Sequence, residues 1–429
     1  MWNIPSLISI ICVISPMKDF ELKAKTLFTG HIRVTDRDGV ALLLALVFIT
    51  LMAALVFAFL FEMQVDASFA QNQGADFEAL LAARSAVVSG MQILAEHYAD
   101  MQDMAMPPVD SELDGSQWSL GVPFEPLNDA TMHASISDEY GKINLNALIL
   151  YENGVPEPNE PLIQALRHFF LERSDSDYDP VDAILDWLDY DDGDSTEPDG
   201  AESDYYLSLE SPYPCKNGPM DSIEELLLIK GITPELYFGN AEEQSGSLPQ
   251  EPLSEYLTVH GDWEGRVNVN TAREEVISAL VGGHTGTMDP ALGQQIYEEA
   301  RIAPMENASQ LRPFLPMAAE GGRVGASQRR VLEDGSETVM SEQELRREQR
   351  LRQNDAVDDM FRYNSNVFRI RGDGQMDDVL VRVEAFVFRE PFDPREIEEP
   401  LSSLGIQYQQ EFTDAPRQLF RILDWKVVQ

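Results

Sequence analysis

Apolar residues in this chain change their spacing from one stretch to the next. From Val40 to Phe61 they form an unbroken run, VALLLALVFITLMAALVFAFLF, without a charge. Its 22 residues would rise about 33 Å as a helix, enough for a hydrocarbon core of about 30 Å, so a membrane-spanning helix is predicted. Further on, Phe77, Leu80, Leu81, Val87, Val88, Met91 and Leu94 recur at steps of three, four and seven. That spacing predicts a helix with one apolar stripe, ending near Tyr98. Gly74, beside Asn72, is the expected weak point between the two helical stretches, and Met106–Pro108 opens a loop.

Alternation with a period of two then appears at both ends of the remaining chain. Ala130–Ser137 predicts a strand and Gln117–Val122 a weaker one. Val367–Arg371 and Val379–Arg389 predict a hairpin around a Gly372-Asp373-Gly374 turn, with Phe420–Val428 as a last strand. Between them, Leu162–Leu171, Val181–Leu188, Ser222–Ile229 and Arg273–Val281 carry helical spacing and start near Pro, Asp, Ser or Thr. The expected fold class is α+β, a domain made from both ends of the chain with a large all-α domain inserted in it. The expected divisions are a leader (1–39), the spanning helix (40–61), a first part of the α+β domain (62–140), the insertion (141–320), a charged linker (321–356) and a second part (357–429). The linker contains Gln343-Glu-Leu-Arg-Arg-Glu-Gln-Arg-Leu-Arg352 and few large apolar groups, and reads as a solvated connection. Inside the insertion, Gly141-Lys-Ile-Asn-Leu-Asn-Ala147 returns as Gly265-Arg-Val-Asn-Val-Asn-Thr271. Both are extended pieces ending in a capping residue before a helix, which suggests two small helical units with similar entries, expected to be SAM/helix-hairpin-helix-like, with plain turn-and-cap chemistry as the alternative.

Charge sets the orientation. Lys18, Lys23, Lys25, Arg33 and Arg37 precede the span, whereas Arg84 is the only Lys or Arg between Glu62 and Gly141. Basic flanks stay cytoplasmic, so the body is expected on the far side of the membrane. The chain has 31 basic and 74 acidic residues and a net charge of −43. Cutting after Gly39 removes five bases and four acids and makes the balance one unit more negative. Such a charge argues against nucleic acid or anionic headgroups and favours divalent cations or basic protein surfaces, while most of the carboxylates simply keep the surface solvated. The first sixteen residues make a poor signal peptide and suggest a start at Met17. Cys12 lies among them, which leaves Cys215 alone in the body and no intramolecular disulfide there.

The densest chemistry lies in Asp186-Trp-Leu-Asp-Tyr-Asp-Asp-Gly-Asp-Ser-Thr-Glu-Pro-Asp-Gly-Ala-Glu-Ser-Asp-Tyr-Tyr206. Carboxylates at a helix C-terminus face the negative pole and call for a counter-ion. Oxygen ligands on a loop containing Gly and Pro suit Ca²⁺; an idle acidic loop is the alternative. The EF-hand pattern is absent, because Thr196 stands where its Gly belongs when the count starts at Asp191. HExxH, Cys/His ligand spacing, GxSxG and glycine-rich phosphate loops are all missing, so no enzyme is expected. Lys230-Gly-Ile-Thr-Pro234 resembles the turn of a DNA-binding helix-hairpin-helix, yet Glu224, Glu225 and Glu235 beside it would repel phosphate.

Taken together, Tyr140-Gly-Lys-Ile-Asn-Leu-Asn146, Asp186-Trp-Leu-Asp189, Gly200-Ala-Glu202, Tyr205-Tyr206, Pro212-Tyr213, Asn217-Gly218, Lys230-Gly-Ile-Thr-Pro-Glu-Leu236 and Asn268-Val-Asn-Thr-Ala272 resemble the K family of minor pseudopilins of bacterial type II (general) secretion. Gly39 followed by Val40 resembles a prepilin peptidase site, with Val40 as the methylated mature N-terminus. The resemblance implies a pilin-like fold, a long N-terminal helix plus an antiparallel sheet, with a helical insertion that holds calcium. It implies Asp189, Asp191 and Glu202 as ligands, with Asp204, Asp194 and Asn217 as further candidates. It also implies a single-pass inner-membrane protein with a cytoplasmic N-terminus and a periplasmic body. The implied partners are the minor pseudopilins I and J, the other pseudopilins, the inner-membrane secretion platform and the prepilin peptidase. Leu44 stands at the fifth mature position, where most pilins carry Glu and this family does not. A minor pilin of a type IV pilus or DNA-uptake system, and a membrane-anchored helix-hairpin-helix DNA-binding protein, are the alternatives.

Overall fold

The computed structural model describes residues 36–103, 109–112, 117–152, 155–173, 178–190, 196–239, 251–286, 289–315, 329–331, 337–339, 357–390 and 419–428. The Met106–Pro108 loop, most of the 321–356 linker, the leader before Asp36, and Asp191 and Asp194 lie outside them. The chain divides into two units, Met1–Asn72 and Gln73–Gln429.

Helix α1 covers Asp36–Asp103, and Gly74 does not interrupt it. Strands β1 (Val122–Leu127), β2 (Ala130–Asp138) and β3 (Ile143–Asn144) follow, then a hairpin of β4 (Ile149–Glu152) and β5 (Val155–Pro158). Next come α2 (Glu160–Arg173), α3 (Val181–Leu188), α4 (Ser203–Leu207) and α5 (Pro234–Phe238). Strands β6 (Leu257–Thr258) and β7 (Val267–Asn268) lead to α6 (Glu274–Thr285), α7 (Pro290–Ile302) and α8 (Ala308–Leu311). The last strands are β8 (Arg329–Val331), β9 (Glu337–Val339), β10 (Phe361–Arg362), β11 (Val367–Met376), β12 (Val379–Arg389) and β13 (Phe420–Val428).

In the first unit, the described residues 40–72 are exposed along α1. In the second unit, both ends of the chain build one antiparallel sheet in the order β1-β2-β11-β12-β13. Residues of α1 from Ala82 to Ala95 pack on it with Trp118, Ala134, Phe368 and Ile370. The buried stripe is richer in alanine than expected, with Ala79, Ala82, Ala83 and Ala86 fully buried and Phe77 exposed. Close approach explains this. A Cβ on Gly374 would fall 1.9 Å from the Ala79 carbonyl oxygen, and one on Gly372 would fall 2.4 Å from that of Ala83. Helix and sheet meet here backbone to backbone.

The same contact corrects the expected hairpin. Gly372-Asp373-Gly374 is not a turn; β11 runs through it, and the turn follows at Asp377, whose φ is +52°. The expected strand Gln117–Val122 is also corrected. Gln117–Leu120 is a 3-10 turn that buries Trp118, Gly121 takes a φ of +66°, and the strand begins only at Val122.

The chain leaves the sheet at Asp138 and returns at Val367, and these two points are neighbours. Phe368 pairs with Asp138, and the Glu139 N–H donates to the Val367 carbonyl at 3.1 Å. The Asp138 carboxylate accepts from the Tyr140 N–H (2.8 Å), Asn268 Nδ2 (3.0 Å), Thr271 Oγ1 (2.6 Å) and Ser365 Oγ (2.5 Å). Burial pushes Asp138 up to about 6, although the hydroxyls of Ser365 and Thr271 pull the other way. A buried ion pair stands beside it, with Arg389 donating to Asp110 at 2.7 Å.

Residues between these points form a second core that reaches to Val357, Met360 and Phe361. This insertion is mostly helical, but it also contains the β4–β5 hairpin and the parallel bridges β3–β6 and β7–β10. The two Asn-containing stretches hold it together in the same way. Asn144 and Asn268 cap with their Oδ1 atoms, each accepting from the N–H two residues on at 3.1 Å. Asn146 clasps the Met220 backbone, accepting from its N–H at 2.8 Å and donating to its carbonyl at 2.9 Å. Asn270 clasps Met305 likewise, at 2.7 and 2.9 Å. Each clasped Met follows a proline and precedes a capping box, Ser222 with Glu225 and Asn307 with Gln310. Helix α2, which follows the first Asn-containing stretch, packs on α6, which follows the second.

Charged side chains join the two cores. Arg369 of β11 lies 3.5 Å from Glu139 and 3.1 Å from Glu255, and Lys142 lies 2.6 Å from Glu139. Burial alone would raise the Glu139 carboxyl, yet the Lys142 and Arg369 cations hold it below its ordinary value.

Two outcomes follow from this packing. Gly374→Ala should cost about 1–3 kcal/mol through forced separation of α1 and β11, lowering the melting temperature of the protein in detergent by several degrees; an unchanged melt would contradict the close contact. Asp138 binds its proton more tightly folded than unfolded, so its contribution to stability is full below about pH 4 and is lost as pH rises through about 6. Wild type should therefore lose on the order of 3 kcal/mol relative to Asp138→Asn between pH 4 and pH 7. A stability difference that stays flat across that range would refute the assignment.

Candidate metal centre and membrane segment

Helix α3 presents Asp182 and Asp186 one turn apart, and Asp189 caps its C-terminus with its N–H donating to the Leu185 carbonyl at 3.0 Å. No basic residue occupies the last turn. Asp182 is neutralised by Arg167, which also holds Asp179. Asp186 is fully buried and forms no ion pair among the described residues.

The segment from Glu197 to Glu202 folds back over this helix end. Asp186 Oδ1 accepts from the Glu197 N–H at 3.1 Å, and Asp182 Oδ2 accepts from the Asp199 N–H at 3.1 Å. Gly200 passes so close that a Cβ there would sit 1.9 Å from Asp186 Oδ2. Two residues later Glu202, 6 % exposed, caps α4, and its carbonyl accepts from the Tyr205 and Tyr206 N–H groups. One carboxylate oxygen each from Asp186, Asp189 and Glu202 then lies within 4.8 Å of the others.

Three carboxylates this close repel one another unless a cation or protons intervene. Burial pushes Asp186 up to about 6, offset only in part by the backbone N–H groups of Glu197 and Ala201. Its Oδ2 is buried and out of hydrogen-bond geometry with every donor among the described residues. A hard divalent cation fits this donor set: the oxygens converge, one is a buried orphan, and Gly200 leaves the space beside it open. Asn217 sits on the adjoining loop with a φ of +49°, next to Gly218, whose N–H donates to the Trp187 carbonyl at 3.3 Å. An aromatic wall backs the loop, with Tyr206 5.3 Å from Trp187 and 5.4 Å from Tyr213.

Of the residues expected from the sequence, Asp189 and Glu202 come together, and Asp204 is exposed in the first turn of α4 outside the group. Asp191 and Asp194 lie outside the described residues. Asp186 is the member that sequence reasoning did not pick as a ligand. Its signal was present: an acid three residues before Asp189 on the same helix end. Cys215 abuts the centre, its thiol donating to the Asp186 carbonyl at 3.5 Å. Burial, with Glu202 and Asp186 nearby, pushes that thiol up to about 12.

In the first unit, the candidate membrane span begins at Val40, and none of its most apolar window is buried. Val40 and Leu44 are 59 % and 63 % exposed, which in water would be an unfavourable apolar surface. Gly39 immediately precedes this stretch within α1.

Known proteins place these features. Residues 141–238 match the family model for protein K of the type II secretion system. Type II secretion system protein K of Aeromonas hydrophila is 26 % identical over 253 residues, covering 57 % of this chain and 70 % of that one. Its counterpart from Klebsiella pneumoniae is 26 % identical over 160 residues, covering 36 % and 44 %. The fold is similar to a chain in the crystal structure of the GspK-GspI-GspJ complex from enterotoxigenic Escherichia coli. The TM-score is 0.53 at 16 % identity, with 85 % of this chain and 99 % of that chain covered. The family match over residues 141–238, the two relatives and the shared fold agree on one likeness: the chain is similar to protein K, a minor pseudopilin of type II secretion.

Proposed function

We propose that this minor pseudopilin caps the tip of the secretion pseudopilus beside the minor pseudopilins I and J. There it helps to start filament assembly for the export of folded proteins across the outer membrane. One observation carries the tip placement: Leu44, fifth from Val40, is an exposed leucine inside a span without charge. A glutamate at that place can pair in lipid with the N-terminal amine of a neighbouring subunit, where an unpaired charge is costly. A subunit without that carboxylate cannot offer the pairing, which suits the end of a stack. The likeness to a chain solved in a GspK-GspI-GspJ complex supports I and J as neighbours. The bulk of the insertion supports the same place, since a tip accommodates it more easily than a packed shaft.

In this reading the prepilin peptidase cuts after Gly39, and Val40 becomes the methylated terminus. The span lies in the inner membrane with its N-terminus cytoplasmic and the body periplasmic, in reach of the other pseudopilins and the secretion platform. The basic flank before the span supports that orientation. The insertion comprises two SAM/helix-hairpin-helix-like units, a reading supported by the twin clasps of Asn146 and Asn270.

The acidic centre holds calcium, through Asp186, Asp189 and Glu202, with Asn217, Asp191, Asp194 and Asp204 as further candidate ligands. Bound Ca²⁺ would neutralise a cluster that otherwise strains the folded state, joining the end of α3 to the start of α4.

Millimolar Ca²⁺ should raise the melting temperature of the protein in detergent, and Asp189→Ala/Glu202→Ala should abolish the rise, because a ligand of the native state stabilises it by mass action. Equal melts in chelator and in Ca²⁺ would retire the centre. In cells, Leu44→Glu should leave Val40 as the terminus found by N-terminal sequencing yet alter co-purification with the other minor pseudopilins. Assembly and secretion indistinguishable from wild type would remove the argument from Leu44.

A further inference from the structure

The Lys230-Gly231 turn, which the sequence relates to phosphate-binding hairpins, has other work in this fold. Lys230 Nζ donates to the carbonyls of Asp199 (3.1 Å) and Gly200 (2.9 Å), and its backbone N–H donates to the Tyr206 hydroxyl at 3.3 Å. One residue thus holds the chain on both sides of Glu202. The ammonium lies 5.1 Å from the Tyr178 ring and 5.3 Å from the Tyr205 ring, and the Tyr178 hydroxyl donates to the same Asp199 carbonyl at 2.8 Å. Gly231 makes the approach possible: its φ is +88°, and a Cβ there would lie 2.0 Å from the Tyr178 ring.

The segment from Glu197 to Gly200 is therefore gripped along both edges of its backbone. Its N–H groups are taken by Asp186 and Asp182 from α3, and its carbonyls by Lys230 and Tyr178. We infer that Lys230 is a positioning residue of the metal centre, holding Glu202 against Asp186 and Asp189 in the geometry that binds a divalent cation. The inference rests on the calcium reading above. It opposes simple electrostatics, because deleting a cation near a metal site relieves repulsion and should tighten binding. Positioning predicts the reverse.

The test is calorimetric titration of CaCl₂ into the full-length protein in detergent. Lys230→Met should bind Ca²⁺ about tenfold more weakly at unchanged stoichiometry, the scale seen when an outer-shell partner is lost. Lys230→Arg, which keeps the charge and offers several donors, should stay within about threefold of wild type. Equal or tighter binding by Lys230→Met, with wild type binding normally, overturns the inference and leaves the calcium centre standing. Absence of binding by wild type overturns both. If Lys230→Met does not fold, as judged by circular dichroism in chelator, Tyr178→Phe carries the test, since it removes only the hydroxyl that shares the Asp199 carbonyl. That variant should bind about tenfold more weakly, the low end of an outer-shell loss; unchanged affinity overturns the inference.

Discussion

Everything in the body of this protein depends on closing a very long excursion at one buried carboxylate. Asp138 ends β2, and its four hydrogen-bond donors come from the chain leaving the sheet, from the second Asn-containing stretch and from the chain coming back. Closing a loop of more than two hundred residues costs entropy that grows only slowly with length, so a few strong, buried contacts can hold the ends together. They must be nearly complete, however, because a buried carboxylate lacking even part of its donors is expensive. Placing this node at the mouth of the insertion lets the helical part grow without disturbing the pairing of β2 with β11.

The large negative charge makes the few cations informative. Arg389 and Lys142 are almost fully buried, and Arg369 is nearly so; each meets a carboxylate where the sheet joins the insertion. Arg167 neutralises Asp179 and Asp182 at the start of α3, and Lys230 grips backbone carbonyls of the acidic loop. Basic residues are scarce in this chain, and many of those described are placed where acids would otherwise be buried without compensation.

Much of this was legible from the residues alone, for definable reasons. The span from Val40 to Phe61 carries no charge at any position, β2 alternates cleanly, and β12 and β13 are rich enough in β-branched and aromatic residues to be found. The hairpin turn was misplaced because Gly372-Asp373-Gly374 has turn composition, while its glycines serve a helix that local pattern cannot show. Alanine hid the first part of the buried face of α1, Ala79 to Ala86, in the same way, whereas Val87, Val88, Met91 and Leu94 were found. Helix α7 escaped detection because it packs through Gly293 and Ala300, and a Cβ on Gly293 would meet Ser278 Oγ at 1.9 Å. In the acidic loop, composition found the region, but which carboxylates converge depends on the chain folding back at Gly200. The clasps of Asn146 and Asn270 join residues 74 and 35 positions away, so the repeat was visible and its bonds were not.

The meeting of α1 and β11 at Ala79 and Gly374 has a mechanical consequence. Side chains between two elements act as a compliant cushion, since each can change rotamer under load. Here no cushion intervenes, and neither peptide backbone can yield without breaking its own ladder. A push or twist applied to this stretch of α1 therefore passes into the central strand of the sheet with little slack.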